Sequence, residues 1–206
     1  MPEKSRAISI SEKRHAVMAA ARSVFALRGY SESSIDEIAA AAVVSTRTIY
    51  KHFGNKSGLF AAVIRESATE VAKAHIKLIE RHLGKVTDLE AALCAFAINW
   101  GASPLKDEGH FALTRLINAE REVVPLEVIE AWQEAGPLAV LKRLGERFCE
   151  LGLHVGDPVL AAVQFVALVT AANPSMSRKS QTEGPQAHVV EAGVQTFLHG
   201  VSKKRV

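Results

Sequence analysis

SIDEIAAAAVVSTRTIYKHF, Ser34 to Phe53, decides the fold. Ser34 and Glu37 form a capping box: the Ser34 hydroxyl accepts from the third helical N–H, and Glu37 reaches back toward the cap. A helix follows to about Ala41, and a second runs from Ser45 to about Phe53. Between them stand Ala42, Val43 and Val44, too few residues for anything but a tight turn. Small side chains at Ala39 and Ala42 let the two helices approach closely. The second helix has an apolar inner side, Ile49 and Phe53, and an outer side of Thr46, Arg47, Tyr50 and Lys51, with His52 at its end. Arginine pairs bidentately with guanine, threonine meets a base edge or a methyl, and tyrosine and lysine reach backbone oxygens. A helix-turn-helix presents such a face to the major groove.

Upstream, Val17, Ala20, Ala21, Val24 and Phe25 follow the apolar spacing of a helix, and Gly29 supplies its stop. With Ile35, Ile38, Ala39, Ala42, Val44, Ile49 and Phe53, three helices share a small core. Downstream, Asn55 caps a long helix from Lys56 to about Leu83. Its free N–H groups and dipole favour a phosphate, and Lys56 adds a full charge. Ser33 and Ser34 offer the same on the other flank.

Charge agrees. Residues 1–60 carry nine Lys/Arg against five Asp/Glu, whereas residues 61–206 carry sixteen against seventeen. The positive excess lies where a polyanion would be met. The composition, 48% hydrophobic and 23% charged over 206 residues, is that of a globular chain with a sizeable core. Cys94 and Cys149 each sit in an apolar helical pattern, so a disulfide or metal site is not expected. The start, MPEKSRAISISEKR, has no apolar core of a signal peptide. The longest apolar run, Val159 to Ala172, is broken only by Gln164 and Thr170 and is shorter than the ~20 residues of a spanning helix. The expectation is a soluble, cytoplasmic protein without membrane contact.

SIDEIAAAAVVSTRTIYKHFGNKSGLF resembles the N-terminal DNA-binding domain of the TetR/AcrR family of bacterial regulators, over roughly residues 12–62. The resemblance rests on Ile38-Ala39, Val44-Ser45, Thr48-Ile49-Tyr50, His52-Phe53 and Lys56 with Leu59-Phe60. It implies that Thr46, Arg47 and Tyr50 read bases or lie beside them. It makes Ser34, Thr48, Tyr50, His52 and Lys56 a phosphate clamp, with Lys51 on the same DNA-facing side. One residue departs from the pattern. The family usually has glycine in the turn, and here it is Val43. A β-branched residue at positive φ costs ~1–3 kcal/mol, so either the turn takes another geometry or stability is lost.

The remainder reads as helices over roughly 88–102, 104–123, 125–151, 157–172 and 186–201, with Gly136-Pro137 kinking or splitting the third and a polar loop at 173–185. The segment 157–172 is apolar almost all round, which predicts burial on every side. Val189, Val190, Val194, Phe197, Leu198 and Val201 make a strong stripe on the last helix. The expectation is a homodimer through Leu160, Val163, Val166, Val190, Val194 and Phe197. Its recognition helices would lie about one DNA turn apart, ~34–36 Å, on a pseudo-palindromic operator of double-stranded DNA. The family resemblance implies the same pairing through the last two long helices.

Residues 111–170 more loosely resemble the ligand-binding domain of the AefR-like branch, which implies a pocket for a small apolar or amphipathic effector. Candidate walls are Phe96, Trp100, Phe111, Arg115, Trp132, Phe165 and Leu168, with Asn99, Asn118 and Thr170 as polar contacts. Trp100 and Phe111 flank the Gly101–Gly109 break, where a mouth could lie. Enzymatic signatures are lacking: no His-Glu-x-x-His, no glycine-rich phosphate loop, no Gly-x-Ser-x-Gly. Glu120 and Glu122, on either side of Arg121, read as surface ion pairs. No catalytic residue, metal or cofactor is expected.

The expected architecture is all-α: a DNA-binding head (1–55) joined by a long helix to a helical effector-binding and dimerisation bundle (56–206). The expected function is a regulator, most often a repressor in this family, released by a small molecule. An activator or a constitutive DNA binder without effector stays open, as does a helical ligand carrier or enzyme with a vestigial head.

Overall fold

The computed structural model describes residues 10–101, 108–170 and 184–201. These residues form ten α-helices and no strand: α1 Ile10–Glu32, α2 Ile35–Ala41, α3 Thr46–Phe53, α4 Lys56–Leu83, α5 Leu89–Gly101, α6 Glu108–Ala119, α7 Leu126–Ala135, α8 Pro137–Glu150, α9 Pro158–Thr170 and α10 Gly184–Val201. Gly136-Pro137 splits the long apolar pattern into α7 and α8, because proline clashes with the preceding turn. The last helix starts at Gly184, earlier than its apolar stripe suggests. Residues 102–107 and most of the 173–185 loop lie outside the described residues.

The chain divides into two compact units. The first comprises residues up to Thr69 together with Asp107–Gly136, so it contains α1 to α3, the first part of α4, and α6 and α7. Its core joins Val17, Ala21 and Phe25 of α1, Ile38 of α2, Ile49 of α3, Leu59, Phe60 and Ile64 of α4, Leu113 and Ile117 of α6, and Val128 of α7. The three-helix core expected from sequence is there: Ile35, Ile38, Ala39 and Ile49 are buried, and Ala42, Val44 and Phe53 pack against them. The walls from α6 and α7 are what the sequence did not reveal. Compactness thus groups the chain differently from a division by role at residue 55.

The second unit holds the rest of α4, with α5, α8, α9 and α10. Helix α8 packs on α9, α9 on α10 and α10 on α5. Gly145 permits the α8–α9 approach, since a Cβ there would lie 2.3 Å from the Pro158 carbonyl oxygen. Buried rings fill the centre: Phe148 stands 5.4 Å from Phe165 and 5.0 Å from Phe197, centre to centre. Arg147 closes the end of α4. Its Nε donates to the Leu83 carbonyl (2.7 Å) and its Nη2 to the Gly84 carbonyl (2.6 Å), two acceptors a helix end leaves without partners. Arg143 bridges Glu80 and Glu150 at 2.7 and 3.0 Å.

Candidate nucleic-acid interface

Local capping builds the recognition element. The Ser34 hydroxyl accepts from Glu37 N–H (3.1 Å) and starts α2. The Glu37 carboxylate turns to Arg28, 3.3 Å away. Ser45 starts α3, accepting from Thr48 N–H (3.3 Å) and sharing a hydrogen bond with the Thr48 hydroxyl (3.0 Å). Loss of such a cap costs about 1 kcal/mol.

The turn between them is a Schellman closure. Val44 N–H reaches back to the Ala39 carbonyl (3.0 Å) and Val43 N–H to that of Ala40 (3.2 Å). That pattern needs a left-handed residue at the position Val43 occupies. Val43 takes it, with φ of 54°, the one positive φ among described residues other than glycine. The turn therefore keeps the geometry usual for glycine and carries the strain. Val43 recovers nothing by packing, since its side chain is 89% exposed.

Helix α3 is sharply two-sided. Ile49 is fully buried, while Arg47 and Lys51 are exposed and Tyr50 is 51% exposed. Thr46, Thr48 and His52 are half-buried at the flanks. Phe53 packs toward the core with the Arg14 guanidinium 5.6 Å from its ring centre. The outer face thus gathers Arg47, Tyr50 and Lys51 on one short helix.

Asn55 caps α4, its Oδ1 accepting from Gly58 N–H (2.7 Å). Lys56 Nζ lies 4.8 Å from the Tyr30 ring centre and donates to the Ser31 carbonyl (3.2 Å). Partial burial lowers the Lys56 pKa, with Glu120 and Glu32 acting in the opposite sense. On the other flank Ser34 is exposed but Ser33 is not available: it is buried, and its hydroxyl donates to the Tyr30 carbonyl (2.9 Å).

The effector-side residues separate. Phe96 and Phe165 are fully buried with ring centres 6.0 Å apart, and half-buried Trp100 lies 5.5 Å from Phe96. Leu168 packs against the same core. His75, set aside as a metal ligand on the sequence for want of a third partner, is half-buried and stands 4.5 Å from Trp100, its ring nitrogen 3.1 Å from the Val71 carbonyl. Burial lowers its pKa. Trp132 packs in the first unit's core instead, and Arg115 and Asn118 are exposed. Asn99 and Thr170 bond to carbonyls of their own helices, Ala95 and Val166. The Phe111 side chain lies outside the described residues.

The expected dimer set also divides. In the single chain Leu160 is 52% and Val163 43% exposed, and Val166 is half-buried. Val190, Val194 and Phe197 are instead buried in the chain's own core. The stripe of α10 turns inward, against Phe148 and Phe165. In the single chain α9 leaves Leu160 and Val163 facing out.

A tight turn, a capped second helix and an outward row of arginine, tyrosine and lysine define a helix-turn-helix DNA-binding protein. Residues 17–63 match the family model of bacterial regulatory proteins, tetR family. Residues 102–200 match that of the AefR-like transcriptional repressor, C-terminal domain. Among solved structures, a TetR-family transcriptional regulator from Mesorhizobium loti superposes with a TM-score of 0.74 at 27% identity, covering 93% of this chain and 97% of that one. The flavonoid-responsive regulator FrrA superposes with a TM-score of 0.70 at 31% identity, covering 92% and 97%. The HTH-type transcriptional activator FasR of Mycolicibacterium smegmatis is 33% identical over 85 residues, 41% of this chain and 39% of that protein's length. The chain belongs to the TetR family of bacterial transcriptional regulators, and it is a DNA-binding regulator.

No helix among the described residues is long and apolar enough to cross a membrane. No group of three or more histidine, cysteine or acidic side chains among them could hold a metal ion.

Proposed function

We propose that the chain is a homodimeric, ligand-responsive repressor that acts in the cytoplasm by binding, without catalysis. By role it divides into a DNA-binding head (1–55) and an effector-binding and dimerisation part (56–206). Arg47, Tyr50 and Thr46 read the major groove of a pseudo-palindromic operator. Ser34, Thr48, Lys51, His52 and Lys56 hold the backbone. The single observation behind this is the two-sided α3, whose exposed face collects Arg47, Tyr50 and Lys51 while Ile49 anchors it.

Repression and release are supported by the match of residues 102–200 to the C-terminal domain of AefR-like repressors. The aromatic group Phe96, Trp100 and Phe165, beside His75, suits a small planar effector. FrrA, 31% identical, is described as flavonoid-responsive, which favours an aromatic molecule here also. Leu160, Val163 and Val166 of α9 supply the apolar face for the second subunit. The effector must favour the state that does not fit the operator, and α4, with residues in both units, is the lever.

The activator FasR, 33% identical over its matched segment, keeps a second reading in view, in which operator binding raises transcription. A mobility-shift titration on the DNA flanking the gene, with and without a panel of flavonoids, tests the proposal. Sequence-selective shifts reversed by one of the panel are expected. Binding without sequence preference at physiological salt refutes it, and a reporter fusion separates repressor from activator.

A further inference from the structure

We infer that Glu120 is a positioning residue for the DNA contact of Lys56. Glu120 follows Ala119, the last residue of α6, so its charge stands at the helix end where an anion is disfavoured. Its partners lie 89 and 90 positions away. The carboxylate accepts from Tyr30 N–H (3.1 Å), Ser31 N–H (2.8 Å) and the Ser31 hydroxyl (2.5 Å).

Those donors are exposed by a break in α1. Gly29 has φ of 85° and ψ of 174°, which frees the following amides from helical bonding. A Cβ there would also lie 2.3 Å from Glu120 Oε1, so any other residue would displace this carboxylate. The same two residues receive Lys56 from the other side. Its Nζ donates to the Ser31 carbonyl and rests over the Tyr30 ring, which in turn packs 4.9 Å from Phe60. Glu120 therefore fixes the peptide on which Lys56 is seated, and Lys56 starts the helix proposed to meet phosphate.

This inference rests on the reading of Lys56 as a phosphate contact, and a double-mutant cycle separates the two. The full-length wild type, Glu120→Ala, Lys56→Ala and the double variant are titrated by fluorescence anisotropy. The probe is a duplex selected from a random library by the wild type, measured across a salt series. Lys56→Ala should weaken binding about tenfold and flatten the plot of log affinity against log salt by about one unit. Glu120→Ala should do nearly the same, although deleting a negative charge near a polyanion would by itself tighten binding. The double variant should be little weaker than Lys56→Ala.

Glu120→Ala binding as tightly as wild type, or an effect additive with Lys56→Ala at an unchanged salt slope, overturns the inference. If Lys56→Ala has no effect, both readings fall. Should Glu120→Ala not fold, Glu120→Gln and Ser31→Ala, each removing part of the network, should reproduce the flattened slope at smaller loss. Wild-type slopes in both would likewise overturn it.

Discussion

Replacing Val43 by glycine should make this protein more stable. Val43 sits at φ of 54° in the turn between α2 and α3. In the left-handed region Cβ approaches the following carbonyl oxygen, at a cost of ~1–2 kcal/mol, and β-branching adds to it. Glycine removes that clash. Against that gain, glycine loses about 0.5–1 kcal/mol more backbone entropy on folding. At 89% exposure, the valine gives up almost no buried surface when truncated. The difference is a net gain of roughly 1 kcal/mol, or about 2–4 °C in melting temperature for a chain of this size. Val43→Ala keeps the Cβ and should gain much less. Denaturation at fixed protein concentration compares the three proteins. Amide hydrogen exchange at Val43 and Val44, whose N–H groups close the turn, localises the effect to the head. A Val43→Gly protein no more stable than Val43→Ala, or one with faster exchange at these amides, refutes the strain argument.

Arg47→Ala should cost ~1–3 kcal/mol of operator affinity and relax preference at one base position, read from binding to a panel of single-substitution duplexes. Leu160→Lys, at an exposed site of α9, should yield a folded monomer by sedimentation, whereas Val194→Lys, fully buried, should unfold the chain. A dimeric Leu160→Lys protein would move the interface elsewhere. The folded-state pKa of His75 is lowered, so the unfolded chain binds the proton first. Stability should therefore fall as pH drops below the ordinary imidazole value of about 6.5, and His75→Gln should flatten that limb in urea titrations across pH.

What was legible in the sequence was local. Ser34 and Asn55 cap their helices as their spacing implies, because a cap involves only residues three or so apart. Val43 was legible as a conflict between residue type and turn, and the structure resolves it in favour of the turn. Facing was not legible. Periodicity shows that α10 has an apolar stripe, but the same stripe serves a second subunit or the chain's own core, and Val194 and Phe197 chose the core. Burial of Ser33 escaped for the same reason. Glu120 was the clearest loss: beside Arg121 it reads as half of a surface pair, and nothing nearby points to amides 89 positions away. Long-range pairing leaves no trace in one sequence when the partners are backbone groups.

The first unit's core has a practical consequence for recombining such regulators. Leu113, Ile117 and Val128 line the same interior as Phe25, Ile49 and Phe60. A chimaera cut after residue 55 or 63 would set a foreign head against walls shaped for this one. Transplanting the DNA specificity of this chain calls for carrying residues 108–136 along with it, or for grafting only the outward side chains of α3. In this protein the portable unit of recognition is a surface, and the interior beneath it is assembled from two distant stretches of chain.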